Sequence, residues 1–136
     1  MIGVYVRLAV VAIGAIATVY YFRVGDTQPT VEPLADVATP PLTTDLKQGE
    51  RAFETNCASC HGVNAAGKND LAPPLVHNVY KPSHHSDMAF VLAVKQGVRQ
   101  HHWQFGNMPP QPGVTDEQVR SIIAYVRALQ RARGIE

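Results

Sequence analysis

The sequence predicts an all-α domain of about four helices, preceded by one lone apolar helix. Three observations lead there. Val119, Ile122, Ile123, Val126 and Leu129 recur at helical spacing behind a Thr115–Gln118 capping box, with Arg120, Arg127 and Arg131 off that face. A second helix is bounded by Ser86, a capping residue, and Gly97, a stop signal, and runs from about Asp87 to Gln96. Residues 1–22 carry a single charge, Arg7. The 136 residues leave room for one compact domain plus further sequence. A net charge of +1 gives no electrostatic footprint for nucleic acid.

The apolar helix comes first. Residues 8–22 are uninterrupted apolar or near-neutral. With 1–6 included, about 20 residues are available, enough to cross a bilayer. Arg7 lies early, on the end that stays cytoplasmic, and Tyr20 and Tyr21 lie late, where aromatics sit at the far interface. The expectation is a single-pass transmembrane anchor over residues 1–23 in a bacterial inner membrane, with everything after it on the periplasmic side. Ala15-Ile16-Ala17 also resembles a signal-peptidase site, so a removable export signal is the other reading. The apolar run through Phe22, with no polar segment before the cut, favours retention. Both readings export the domain.

Residues 24–44 change character. They hold Pro29, Pro33, Pro40 and Pro41, the acids Asp26, Glu32 and Asp36, and no basic residue. No helical or strand period persists. This composition predicts an extended, partly polyproline linker.

The chemistry is concentrated in Asn56-Cys57-Ala58-Ser59-Cys60-His61-Gly62. Two thiols at this spacing can form thioethers with the two vinyl groups of one haem, and the next residue, His61, is then placed as an axial ligand. Cys57 and Cys60 are the only cysteines. A disulfide oxidoreductase would need a βαβ context, and none is visible. A zinc site would need two more soft ligands, which only the histidines remain to supply.

With this motif in place, residues 44–129 resemble a class I cytochrome c. Four further features, in the expected order, carry the resemblance. Gly49 and Phe53 share a face at i, i+4 on a helix that Asp45 or Thr44 can cap. The resemblance implies that they let the first and last helices cross closely, with Tyr125 meeting the first helix. Ala72-Pro73-Pro74-Leu75 follows the motif; by resemblance the Pro73 carbonyl binds the ring N–H of His61, and Leu75 packs on the haem face. Met108-Pro109-Pro110 matches the family's second iron ligand, a loop Met followed by Pro. Of the other methionines, Met1 lies in the anchor and Met88 opens a helix, where a core role is expected. The fourth feature is the final helix itself. The cytochrome c domain is thus expected over residues 45–136.

The stretch from Gly97 to Met108 is longer than in the simplest members, and His101 and His102 within it leave a bis-His haem open as the alternative to Met108. His77, His84 and His85 add to these. The paired histidines could bind copper or zinc; the simpler reading makes them polar loop residues that contact haem propionates, a partner or water. Arg99 and Trp103 are candidate propionate donors, one a cation and the other an indole N–H.

The resemblance implies an electron carrier, not an enzyme in its own right: one covalent haem c, with iron cycling between Fe(II) and Fe(III) on His61 and Met108. Expected partners are redox donors and acceptors, namely membrane respiratory complexes, with the membrane engaged by the N-terminal helix. Residues 45–136 hold ten basic and eight acidic side chains, too mild a balance to name a partner by steering. The alternatives are a haem subunit of a larger oxidase or dehydrogenase complex, and a haem sensor or enzyme with an open sixth position.

Overall fold

A computed structural model describes residues 39–136 together with Thr18 and Val37. The expected anchor over 1–23 lies outside the described residues, Thr18 apart, as does most of the 24–44 linker. Among the described residues no helix is long and apolar enough to cross a membrane. Val37 and residues 39–136 belong to one unit, delimited by its contacts as Glu32–Glu136.

From residue 39 onward there are four α-helices: α1, Thr44–Asn56; α2, Ala58–His61; α3, Asp87–Gln96; and α4, Asp116–Ala132. Two 3₁₀ turns, Val63–Ala65 and Asn78–Tyr80, lie in the connection between α2 and α3. The described part has isolated bridges but no strand, as expected of an all-α fold.

Helix ends follow local chemistry. In α1 the cap is Thr43, one residue before the expected position, and its hydroxyl accepts from the Leu46 amide at 3.4 Å. In α4 both halves of the capping box form: Gln118 N donates to Thr115 Oγ1, and Thr115 N donates to Gln118 Oε1. Such a cap contributes about 1 kcal/mol. Helix α3 stops at Gly97, which adopts φ 76°. A Cβ there would lie 2.5 Å from the Met108 carbonyl oxygen, so the same glycine ends the helix and admits the returning chain.

The core forms where α1 crosses α4. Gly49 is buried, and a Cβ on it would lie 2.1 Å from the Ser121 carbonyl oxygen and 2.9 Å from Tyr125 Cβ. Beside this contact Phe53 and Tyr125 meet with ring centroids 5.8 Å apart. Both rings are almost wholly buried, with Val126 and Leu129 in the same cluster. Burying side chains of this size contributes about 1.5–3 kcal/mol each. Val37, within the expected linker, joins the cluster, and its carbonyl accepts from Asn64 Nδ2 at 3.1 Å.

The periodicity of α4 holds for Val119, Ile122, Ile123, Val126 and Leu129, all buried. It fails for Arg127, which was expected off that face and is only 6% exposed. The guanidinium is drawn in because its planar fork finds a full set of acceptors. Nε bonds Asp87, one terminal nitrogen bonds the Tyr80 carbonyl and Gln130 Oε1, and the other bonds the His85 carbonyl. Phe90 lies under the cation, 4.8 Å from ring centre to Cζ. Gln130, also buried, donates to the Leu75 and Tyr80 carbonyls. Together Arg127 and Gln130 fasten the segment between the Cys motif and α3 onto α4.

A second expectation is corrected in α3. Met88 is 61% exposed and is not a core residue. The inward face is set by Phe90 and Val94, at i, i+4, and Met88 points away from it.

The Gly49 contact sets a test whose sign is informative. Alanine is favoured over glycine in a helix by about 1 kcal/mol, whereas forcing a methyl into a packed interface costs about 1–3 kcal/mol. Gly49→Ala should therefore lower the thermal midpoint. A midpoint equal to or above the parent's would show that the helices can separate at no cost.

Candidate functional site

All four helices wall one cavity of about 380 Å³: Phe53 comes from α1, His61 from α2, Phe90 from α3 and Ile122 from α4. The sequence-predicted residues Cys57, His61, Pro73, Leu75, Trp103 and Met108 all line it. Cys60 is exposed and outside the lining, three residues along from Cys57. Arg99 is also exposed and outside the lining.

His61 ends α2 and is 9% exposed. Its Nδ1 lies 3.0 Å from the Pro73 carbonyl oxygen. A carbonyl can only accept, so the proton sits on Nδ1 and the Nε2 lone pair is left free. Burial holds the imidazole below its usual pKa, opposed by the Pro73 bond. The neutral form that a metal requires is therefore the resting form.

The chain is bent sharply to make this contact. After α2, Asn64 and Ala65 take left-handed φ values of 54° and 57°. That conformation costs about 1–2 kcal/mol at a non-glycine residue. Long-range bonds hold it. The Ala65 carbonyl accepts from the Leu75 amide at 2.9 Å, and Asn64 Oδ1 accepts from the Tyr125 hydroxyl at 3.0 Å. The turn thus draws Pro73 and Leu75 back alongside His61.

The Cys57 thiol is pushed up to about 11, mainly by burial and also by Cys60. It is protonated at neutral pH, unlike the depressed thiol of a disulfide oxidoreductase. No disulfide joins the pair.

Met108 is half-buried at the foot of the long loop. Two backbone bonds close that loop: Val98 N donates to Met108 O at 2.9 Å, and Met108 N donates to Val98 O at 3.0 Å. Gln111 N donates to the Val94 carbonyl and ties the following prolines to α3. Inside the loop Trp103 stacks on Phe105, at 5.8 Å and 13°, and meets the edge of His77. Trp103 Nε1 is buried without a hydrogen-bond partner. It lies close enough to the Tyr80 hydroxyl to ease that group, which burial pushes up to about 12.

The histidines separate into two sets. His77 caps the 3₁₀ turn Asn78–Tyr80, accepting from the Val79 amide. His84, His85, His101 and His102 cluster at the cavity mouth, and three of them, His85, His101 and His102, also line the cavity. Sequence reasoning missed Tyr80, Phe90 and Val94 as cavity residues. Phe90, Ala93 and Val94, at i, i+3 and i+4, carried the signal for α3; nothing local marked Tyr80.

This is a small helical domain closed around a cavity that holds a cysteine thiol, an oriented imidazole and a thioether. The cytochrome c family model matches residues 46–130, and the chain belongs to that family. Among curated relatives it is 34% identical over 86 residues to the cbb3-type cytochrome c oxidase subunit CcoP of Rubrivivax gelatinosus, a match covering 62% of this chain and 26% of that one. It is 29% identical over 85 residues to CcoP of Rhodobacter capsulatus (60% and 28%) and 27% identical over 85 residues to the FixP subunit of Rhizobium meliloti strain 1021 (62% and 27%). The match spans about a quarter of each relative.

As a cytochrome c domain it carries covalent haem c, and the residues present fit that group. Thiols, neutral imidazole and thioether suit haem attachment and iron ligation, and the partnerless indole N–H suits a carboxylate acceptor.

Two tests follow. All four helices pack around this cavity of about 380 Å³, so bound haem supplies the packing that holds them together. A Cys57→Ala, Cys60→Ala variant made without haem should lose most of its helical circular dichroism, and a native-like spectrum would contradict this. Trp103→Phe keeps the aromatic stack and deletes the N–H. It should shift the reduction potential with little loss of stability; an unchanged potential would leave the indole nitrogen without a role.

Proposed function

We propose that this protein is a membrane-tethered monohaem cytochrome c that passes single electrons in a respiratory chain, with His61 and Met108 as the axial ligands. The observation that carries the reading is that a pre-oriented imidazole and a backbone-pinned thioether line the same cavity. Haem, once bound, supplies a one-electron Fe(II)/Fe(III) couple. The residues around it act by staying still. Pro73 holds the His61 tautomer and ring plane. The Val98–Met108 bridge holds the Met108 backbone in either oxidation state. Leu75 would pack against the haem and keep water away, and Trp103 would donate to one of its carboxylates. Arg99, exposed here, is the weaker propionate candidate.

His101 and His102 are poorer ligand candidates than Met108. Both are exposed, whereas Met108 is half-buried and held by two backbone bonds. The N-terminal helix would tether the domain on the periplasmic side of a bacterial inner membrane, raising its effective concentration toward membrane partners. Those partners are proposed to be respiratory complexes. A second reading, a haem subunit of a larger oxidase complex, is favoured by relatives that are themselves cbb3-type oxidase subunits. Co-purifying subunits would mark it.

Optical spectra of the oxidised and reduced protein, followed by carbon monoxide, test the ligation. The parent should show the weak long-wavelength charge-transfer band of Met–iron ligation and no response to carbon monoxide. Met108→Ala should lose the band and bind carbon monoxide. Rapid carbon monoxide binding by the parent would instead favour a sensor or enzyme with an open position.

A further inference from the structure

Four histidines meet at the mouth of the cavity, brought together by two separate segments. His84 and His85 come from the turn before α3, where both their amides donate to the Lys81 carbonyl. His101 and His102 come from the loop that the Val98–Met108 bridge closes. Neither pair is needed by the site described above.

Their ring nitrogens converge. One ring nitrogen from each of His84, His85 and His102 lies within 4.8 Å of the other two. His84 Nε2 and His102 Nε2 are 3.3 Å apart. Two imidazole nitrogens bound to one ion at ~2.0–2.1 Å, at a tetrahedral angle, stand about 3.3 Å apart. The pair therefore already has the spacing of two ligands on one ion. His85 is the third residue of the group. Its Nδ1 donates to the Val79 carbonyl at 2.7 Å, which fixes the tautomer and leaves the Nε2 lone pair free. Metal-bound histidines are held in this way, the second nitrogen giving its proton to a carbonyl. His101 is similarly held by Arg99 O, and its ring centroid is 4.4 Å from that of His102, so it stands beside the trio as a fourth donor or leaves the position to water.

We propose that His84, His85 and His102 form a second metal site, on the rim of the haem cavity, for one late first-row divalent ion. An all-imidazole donor set suits copper and zinc, and copper(II) ranks first in intrinsic affinity. The donors are accessible, His84 and His102 being exposed and His85 half-buried. An ion there would cross-link the 98–108 loop to the turn before α3, two segments that share no described helix.

The test uses the haem-loaded full chain without a histidine tag. Copper(II) is titrated against a competing chelator and followed by electron paramagnetic resonance; zinc(II) is titrated in parallel by competition. One equivalent of copper should bind, with hyperfine splitting from several nitrogens. His84→Ala with His102→Ala should weaken binding roughly 100-fold or more, since lesser changes to metal-site histidines already cost 10–100-fold. His77→Ala should leave binding unchanged. The haem spectrum, recorded on every sample, shows whether each variant is folded; if the double variant loses it, the single His102→Gln replaces it. Tighter binding of zinc than copper would keep the site and reassign its ion. Absence of stoichiometric binding by the parent, or equal affinity in the histidine variant, would overturn the proposal.

Discussion

The domain depends on how closely α1 can approach α4. Gly49 lets backbone meet backbone at Ser121, and the rest of the architecture is hung from that crossing. It sets Phe53 against Tyr125, and Tyr125 in turn holds Asn64 in the strained turn behind the Cys motif. That turn brings Pro73 to His61. A chain of contacts thus runs from one missing side chain to the orientation of an imidazole. The apolar packing supplies the energy, and the polar contacts spend little of it on fixing geometry.

A second set of contacts organises the opposite wall. Arg127 and Gln130 project from the last turns of α4 and gather the carbonyls of Leu75, Tyr80 and His85. These residues lie in a connection with almost no regular structure. Its backbone groups would otherwise be buried without partners, at about 1–3 kcal/mol for each one left unsatisfied. A buried arginine is therefore the means by which an irregular segment becomes a firm wall. The carboxylate of Asp87 completes the fork while staying largely in water, which limits the cost of desolvating the pair.

What could be read from the sequence was local. The bounds of α3, the capping box of α4, the Gly49–Phe53 spacing and the Cys57–His61 motif each lie within one element, and periodicity or cap chemistry marks them. The pairing of Pro73 with His61 came from resemblance alone, since a separation of twelve positions carries no geometric signal. Arg127 was misread because a helical wheel assigns charge to solvent, and only the folded chain supplies its four acceptors. Met88 was misread because the seven consecutive apolar residues from Met88 to Val94 give no preference for one face. Val37 was invisible for a related reason: in a proline-rich stretch, one residue that docks looks like its neighbours. The histidine cluster was legible as two pairs but not as one group, because adjacency in space came from two segments.

The bridge between Val98 and Met108 has an evolutionary consequence. Its two backbone bonds make the nine residues between them a cassette, anchored at both ends and independent of the helices. Residues can be gained or lost there at modest entropic cost, because closure depends only slowly on loop length. The thioether at its foot would keep its position while the cassette changed. A lineage could thereby refit the entrance of the cavity, with new aromatic residues or new imidazoles, without renegotiating the centre it surrounds.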